Sequence, residues 1–182
     1  MSLPTFARPP RYDAADARAY VEHITGLVGD RDPQALMADA PDRLGAAVAR
    51  LPEADARRPE AEGKWSVLQI LRHLADSEMV YGYRMRLIVA DDRPAIPGYD
   101  QDAWASRLAY HHGTGADALA DFAAQRAMTL RWLGALPEAA LARVGVHSER
   151  GEESVGQIVR LLAGHDLVHE AQVRRVRDRL GA

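Results

Sequence analysis

Two histidines stand four residues apart in the stretch AGHDLVHE, residues 163–170. Four residues is close to one turn of an α-helix, so His165 and His169 would project from one face, one above the other. Such a pair can offer two neutral imidazole nitrogens to a single metal ion. The residues around them are apolar at helical spacing: Val155, Ile158, Leu162, His165, His169, Val173, Val176 and Leu180 follow by steps of three or four. Both histidines therefore fall at core positions. Burying two imidazoles costs about a few kcal/mol unless their nitrogens find partners. One cation satisfies both; the plainer alternative is a pair of hydrogen-bonded core histidines.

A metal site needs a further protein ligand and, for catalysis, an open position. Two local patterns fail to supply it. In an HExxH site the second residue is a glutamate base, whereas here it is Asp166, one methylene shorter, and nearly all that follows His169 belongs to the same helix. A His-Asp phosphohydrolase pattern wants a distant second aspartate, and Asp178 is close and on that same helix. A ligand from another helix remains. His73 lies in SVLQILRHLADSE, at the border of a stripe formed by Val67, Leu71, Leu74, Glu78, Tyr81, Met85 and Ile88. It sits about two turns into its helix and His165 about three turns into its own, levels that packed neighbours can bring together. On its own, a histidine at such a border is ordinarily half-exposed. His23, His111, His112 and His147 have no partner at ligand spacing and are set aside.

The elements that must position these residues are helices. Residues 1–12 hold three prolines and read as an extended arm, and 14–27 suit a short helix. Asp32-Pro33 opens a second helix running to Leu51, with Leu36, Met37, Leu44, Val48 and Leu51 inward; Pro41 should kink it or move its start later. Residues 52–64 are a polar linker. Ser66 caps a long helix to about Ala90, with Trp65 packing as a staple at its start. A loop follows, then a short helix over 102–110. Thr114 and Asp117 form a capping pair before a helix over 116–135 whose inner face carries Leu119, Phe122, Leu130 and Leu133. The stretch 138–153 is largely polar in its second half, and the last helix runs from Ser154 to about Leu180. No segment reads as a strand. The expected fold is all-α: a four-helix bundle in one domain, with short additional N-terminal and connecting helices.

Composition narrows the function classes. The chain has 182 residues, 47% of them hydrophobic, and a formal net charge of −3. That suffices for one sizeable core and gives no general attraction to nucleic acid or anionic membranes. The run Arg174, Arg175, Arg177, Arg179 complements a helix C-terminus and has no interleaved aromatic residues. No apolar stretch approaches a membrane span, and MSLPTFARPPRYD lacks the layout of a signal peptide, so a cytoplasmic protein is expected. There is no cysteine. Thiolate metal sites and a protein thiol nucleophile are thus excluded, and any catalytic thiol must arrive with a substrate.

Three blocks taken together resemble a known family. GKWSVLQILRHLADSE at 63–78, PGYDQDAW at 97–104 and AGHDLVHEAQVRR at 163–175, in this order, are similar to the DinB-like family of metal-binding four-helix bundles. The resemblance spans roughly residues 30–180. It implies that a histidine of the second bundle helix joins two of the last helix around a divalent ion, which by motif are His73, His165 and His169. It also implies a homodimer. Related members resemble thiol S-transferases and a thiol-dependent isomerase, so the expected activity is transfer of a low-molecular-weight thiol to an electrophile. The alternatives are a metal-dependent hydrolase and a non-enzymatic, stress-associated metal-binding module. All-imidazole ligation suits zinc or nickel first, with copper, iron and manganese as further options.

Supporting roles are expected for three residues. Asp76, one turn from His73, can accept its second N–H; because position 76 points away from the stripe, a solvent-exposed carboxylate is the favoured reading. Glu78 interrupts that stripe, and Arg126 on the third helix is its candidate partner in a structural ion pair.

Overall fold

The computed structural model describes residues 14–181, and the side chains from residue 18. The predicted N-terminal arm lies outside them. Seven helices occur among the described residues: α1 Ala14–Gly26, α2 Pro33–Val48, α3 Glu53–Ala56, α4 Val67–Ala90, α5 Gln101–Arg107, α6 Gly115–Gly134 and α7 Val155–Leu180. A short 3-10 helix, Glu138–Ala142, and three short strands complete the set: β1 Ala95–Ile96, β2 Val144–His147 and β3 Gly151–Ser154.

Local chemistry explains where the long helices start. Asp32 accepts from the Gln34 amide, and Pro33 takes the first helical position. Ser66 and Gln69 form a reciprocal capping box at α4, and Ser154 and Gln157 repeat it at α7. Thr114 accepts from the Asp117 amide at α6. Each cap satisfies amides that would otherwise be left unpaired and contributes about 1 kcal/mol. Gly181, with φ 74°, closes α7 in the left-handed conformation. None of these helices is long and apolar enough to cross a membrane.

Helices α2, α4, α6 and α7 form the four-helix bundle. α2 packs on α7 and α6, and α4 packs on the same two, so α2 and α4 lie across a diagonal. α1 lies against α7. The apolar core falls into two parts. One gathers Met37, Tyr81, Met85, Ile88, Leu133, Ile158 and Leu162; the other gathers Leu44, Leu68, Leu71, Leu74, Phe122, Val173 and Val176. Between them along the helices lies a layer of buried polar side chains: His73, Ser77, Glu78, Arg126, His165 and Asp166.

Several expectations need correction. The second helix starts at Pro33 and continues past Pro41, ending at Val48. The inner face of α6 is Ala118, Phe122, Arg126, Thr129 and Leu133, while Leu119 and Leu130 are half-buried. The segment read without strands contains a hairpin, with β2 antiparallel to β3 from Val144↔Ser154 to His147↔Gly151. Gly151, at φ 78°, supplies a left-handed residue where the chain re-enters the hairpin after the loop 148–150. β1 adds in parallel, pairing Ile96 with His147. Strands this short carry little periodicity, and the parallel pairing joins segments about fifty residues apart, so neither was visible locally.

Candidate metal centre

The structure brings the three predicted histidines together. His73 comes from α4, and His165 and His169 from α7. The Nε2 of His165 lies 3.1 Å from that of His73 and 3.1 Å from that of His169. All three nitrogens fall within 4.8 Å of one another, in the one metal-compatible cluster found among the described residues. His73 is 1% exposed, so it is a core residue and not a half-exposed border position.

Hydrogen bonding alone does not satisfy this arrangement. A ring nitrogen carries one proton or one in-plane lone pair. The Nε2 of His165 faces two other Nε2 atoms and can serve only one of them. A cation accepts all three lone pairs at once. Two nitrogens held about 2.0–2.1 Å from one ion, with bond angles of about 100–110°, stand roughly 3.1–3.4 Å apart. The two observed contacts meet that spacing.

The rings are held in the state a metal needs. Burial pushes His73 well below the usual histidine range, with His169 nearby adding to the effect. Burial does the same for His165, reinforced by His169, His73 and Arg126. Burial brings His169 down to about 4, against a small upward pull from Gln172. All three are neutral at pH 7. Gln172 Oε1 lies 2.8 Å from His169 Nδ1, so this nitrogen donates and the lone pair falls on Nε2, toward the cluster. Gln172 escaped the sequence reading, although its i+3 spacing from His169 was there to find. The Nδ1 atoms of His73 and His165 are buried without a hydrogen-bond partner.

Neighbouring side chains fall into two groups. Trp65, at the mouth of α4, packs its ring 4.9 Å from that of His73. Ser77 Oγ stands 3.3 Å from His73 Nε2 and 3.1 Å from the Tyr99 hydroxyl. Asp76 does not reach His73; it accepts from the Tyr110 hydroxyl at 2.6 Å. On the far side of α7, Asp166 turns away from the triad. It takes two bonds from Arg126, at 2.6 and 3.1 Å, while Arg126 Nε donates to Glu78 at 2.9 Å. The Glu78–Arg126 pair expected from sequence is thus present and gains a third member. Burial opposes the charge on Arg126, but Asp166 and Glu78 facing it raise its pKa above the ordinary value. His147, set aside earlier, is 2% exposed on β2 and is not a member of this cluster.

A sequence model of the DinB superfamily matches residues 36–173. A Bacillus licheniformis protein named "Putative metal-dependent hydrolase" is 28% identical, over 97% of this chain and 94% of that one. An Oceanobacillus iheyensis protein with the same designation is 29% identical, over 73% of this chain and 76% of its own length. In structure the chain is similar to YfiT from Bacillus subtilis, described as "a probable metal-dependent hydrolase with an unusual four-helix bundle topology". The TM-score is 0.76 at 21% identity, covering 96% of this chain and 93% of that one, a likeness of fold. The match over most of the bundle makes the chain a member of the DinB superfamily.

Proposed function

We propose that the protein is a metal-dependent hydrolase of small molecules, with one divalent ion held by the Nε2 atoms of His73, His165 and His169. The observation that carries this reading is the convergence of three neutral imidazoles from two helices, His73 and His165 buried and His169 half-buried, on their Nε2 atoms. A divalent ion held there by three neutral imidazoles would keep its full charge and would supply Lewis-acid chemistry for hydrolysis. The chain's own residues prepare the place. α4 and α7 fix the three rings from opposite sides. Gln172 sets the tautomer of His169. Trp65 covers one side of His73 against water. Asp166 is committed to Arg126 and is not a base for the site. The names of the relatives support hydrolysis; zinc or nickel suits the donor set.

The test has two parts. Metal content of the purified protein should be near one ion per chain and should fall in a His165→Ala/His169→Ala variant. A panel of activated esters, amides and phosphoesters should then reveal turnover that a chelator abolishes and added metal restores. No metal in the wild type defeats the reading at once.

A second reading, transfer of a low-molecular-weight thiol to an electrophile, is favoured by one feature: the chain has no cysteine of its own. A thiol coordinated at such a site loses its proton outright. In cobalt-loaded protein, thiol binding should change the visible spectrum; unchanged spectra with every candidate thiol leave hydrolysis as the reaction. If neither activity is found with metal bound, the non-enzymatic module is the remaining function.

A further inference from the structure

The triad has a neighbour that the metal reading does not use. Ser77 lies one turn beyond His73 on α4 and is 1% exposed. Its hydroxyl stands between His73 Nε2, at 3.3 Å, and the Tyr99 hydroxyl, at 3.1 Å. Buried serines in helices commonly bond back to their own backbone. The contacts of this hydroxyl are with side chains, toward the metal-binding nitrogens on one side and a loop tyrosine on the other.

Tyr99 is held firmly, although it sits between β1 and α5. Its ring packs 4.8 Å from that of Trp104, and the Arg84 guanidinium lies 5.7 Å from its centroid. Arg84 also donates to the Pro97 carbonyl at 2.7 Å, and the Gly98 amide donates to Ser148 at 3.0 Å. The loop just before Tyr99 is therefore tied to α4 and to the hairpin. Burial, the main cause, raises the Tyr99 pKa to about 12, which keeps the phenol protonated at neutral pH.

The direction of the chain follows from the donors. A phenol is a better donor and a poorer acceptor than an aliphatic hydroxyl, so Tyr99 donates to Ser77. Once the lone pair of His73 Nε2 is given to a cation, it no longer accepts from Ser77. The Ser77 proton is then left directed at the space beside Nε2, where an exogenous ligand of the cation has its lone pairs.

We propose that Tyr99 and Ser77 form a one-way hydrogen-bond chain that positions the acceptor atom of an anionic or lone-pair-bearing ligand beside His73 at the His73–His165–His169 site. Ser77 gives the hydrogen bond, and Tyr99 orients Ser77 so that it does so. Both are positioning residues. This inference rests on metal binding at the triad and holds for hydrolysis and thiol transfer alike, since both need a lone-pair atom placed at the cation.

The experiment uses the full chain loaded with cobalt(II), with azide as the probe ligand. Metal content is measured for the wild type, Tyr99→Phe, Ser77→Ala and the double variant, and azide affinity is read from the visible spectrum. Each single variant should keep its cobalt and bind azide about 3- to 10-fold more weakly, the worth of one hydrogen bond. The double variant should be no weaker than Ser77→Ala, because Tyr99 acts only through Ser77. Should Ser77→Ala fail to fold, Tyr99→Phe alone decides. Wild-type azide affinity in Tyr99→Phe with cobalt retained overturns the chain and leaves the metal site standing. Additive losses in the double variant also overturn it, because Tyr99 would then touch the ligand directly. Absence of cobalt from the wild type defeats the metal reading and this inference together.

Discussion

Arg126 donates to the Met37 carbonyl at 2.9 Å, the carbonyl left without an intrahelical donor by Pro41 four residues later. A proline inside a helix removes one hydrogen bond and ordinarily costs about 3 kcal/mol. Here the orphaned oxygen faces a buried guanidinium, and that guanidinium also holds Glu78 and Asp166. One side chain on α6 thus ties together α2, α4 and α7 at the level of the histidine cluster.

Removing this side chain should be severe. Arg126→Met leaves two buried carboxylates without their cation and a carbonyl without a donor. The expected loss is about 3–5 kcal/mol, read as a lower midpoint in urea denaturation. Pro41→Ala restores an amide for Met37 and should recover about 1 kcal/mol of that loss in the double variant. Strictly additive effects would show that the proline and the arginine are not coupled.

Metal affinity should depend on a residue that is not itself a ligand. Gln172→Leu removes the acceptor on His169 Nδ1 while leaving all three histidines in place. Affinity is expected to fall about 10-fold, measured by competition with a coloured chelator. Unchanged affinity would mean that the ring is oriented by packing alone.

Acid should destabilise the protein through buried neutral histidines. Burial first, then Arg150 and Arg84, lowers the His147 pKa to about 3, against an unfolded value of 6.5. Between these values the unfolded chain binds a proton that the folded one does not, so unfolding free energy rises with pH. The contribution is complete above about pH 6.5 and is lost as pH falls toward 3, on the order of 5 kcal/mol in all. In His147→Gln, the slope of stability against pH over this window should be shallower by up to one proton. His169, at about 4 in the metal-free protein, contributes with the same sign.

The approach of α1 to α7 should tolerate no added methyl at Gly164. A Cβ there would stand 2.1 Å from the Ile24 carbonyl oxygen, a backbone atom that can move only with its helix. Gly164→Ala is expected to cost about 1–3 kcal/mol in thermal or urea unfolding, despite alanine's higher helix propensity. A gain in stability would show that α1 can shift outward freely.

What could be read in the chain itself was the local part of the structure. Caps at Ser66, Thr114 and Ser154 act within three residues, and the stripes that place His165 and His169 on one face follow from the geometry of a single helix. Glu78 was legible as a polar break in an apolar stripe, and its partner Arg126 followed from it. The candidate triad itself was reachable because His73 had one sensible pair to complete. The continuation of α2 past Pro41 was not, because the compensation comes from a residue 85 positions away on another helix. The two-residue strand β1 was invisible for the same reason, its partner lying in another part of the chain.

The amino-acid order by itself determined where the long helices start and which apolar stripes α4 and α7 turn inward, because both depend on a periodicity of 3.6 residues and on caps made by near neighbours. Only the tertiary structure decided how far each helix slides and turns against the next. That relative placement puts the Nε2 atoms of His73 and His165 3.1 Å apart across 92 residues of chain, aims Asp166 at Arg126 instead of the metal centre, and brings the loop hydroxyl of Tyr99 to Ser77. The physical reason is that packing between helices sums many weak contacts from distant segments, and no short window of sequence contains that sum.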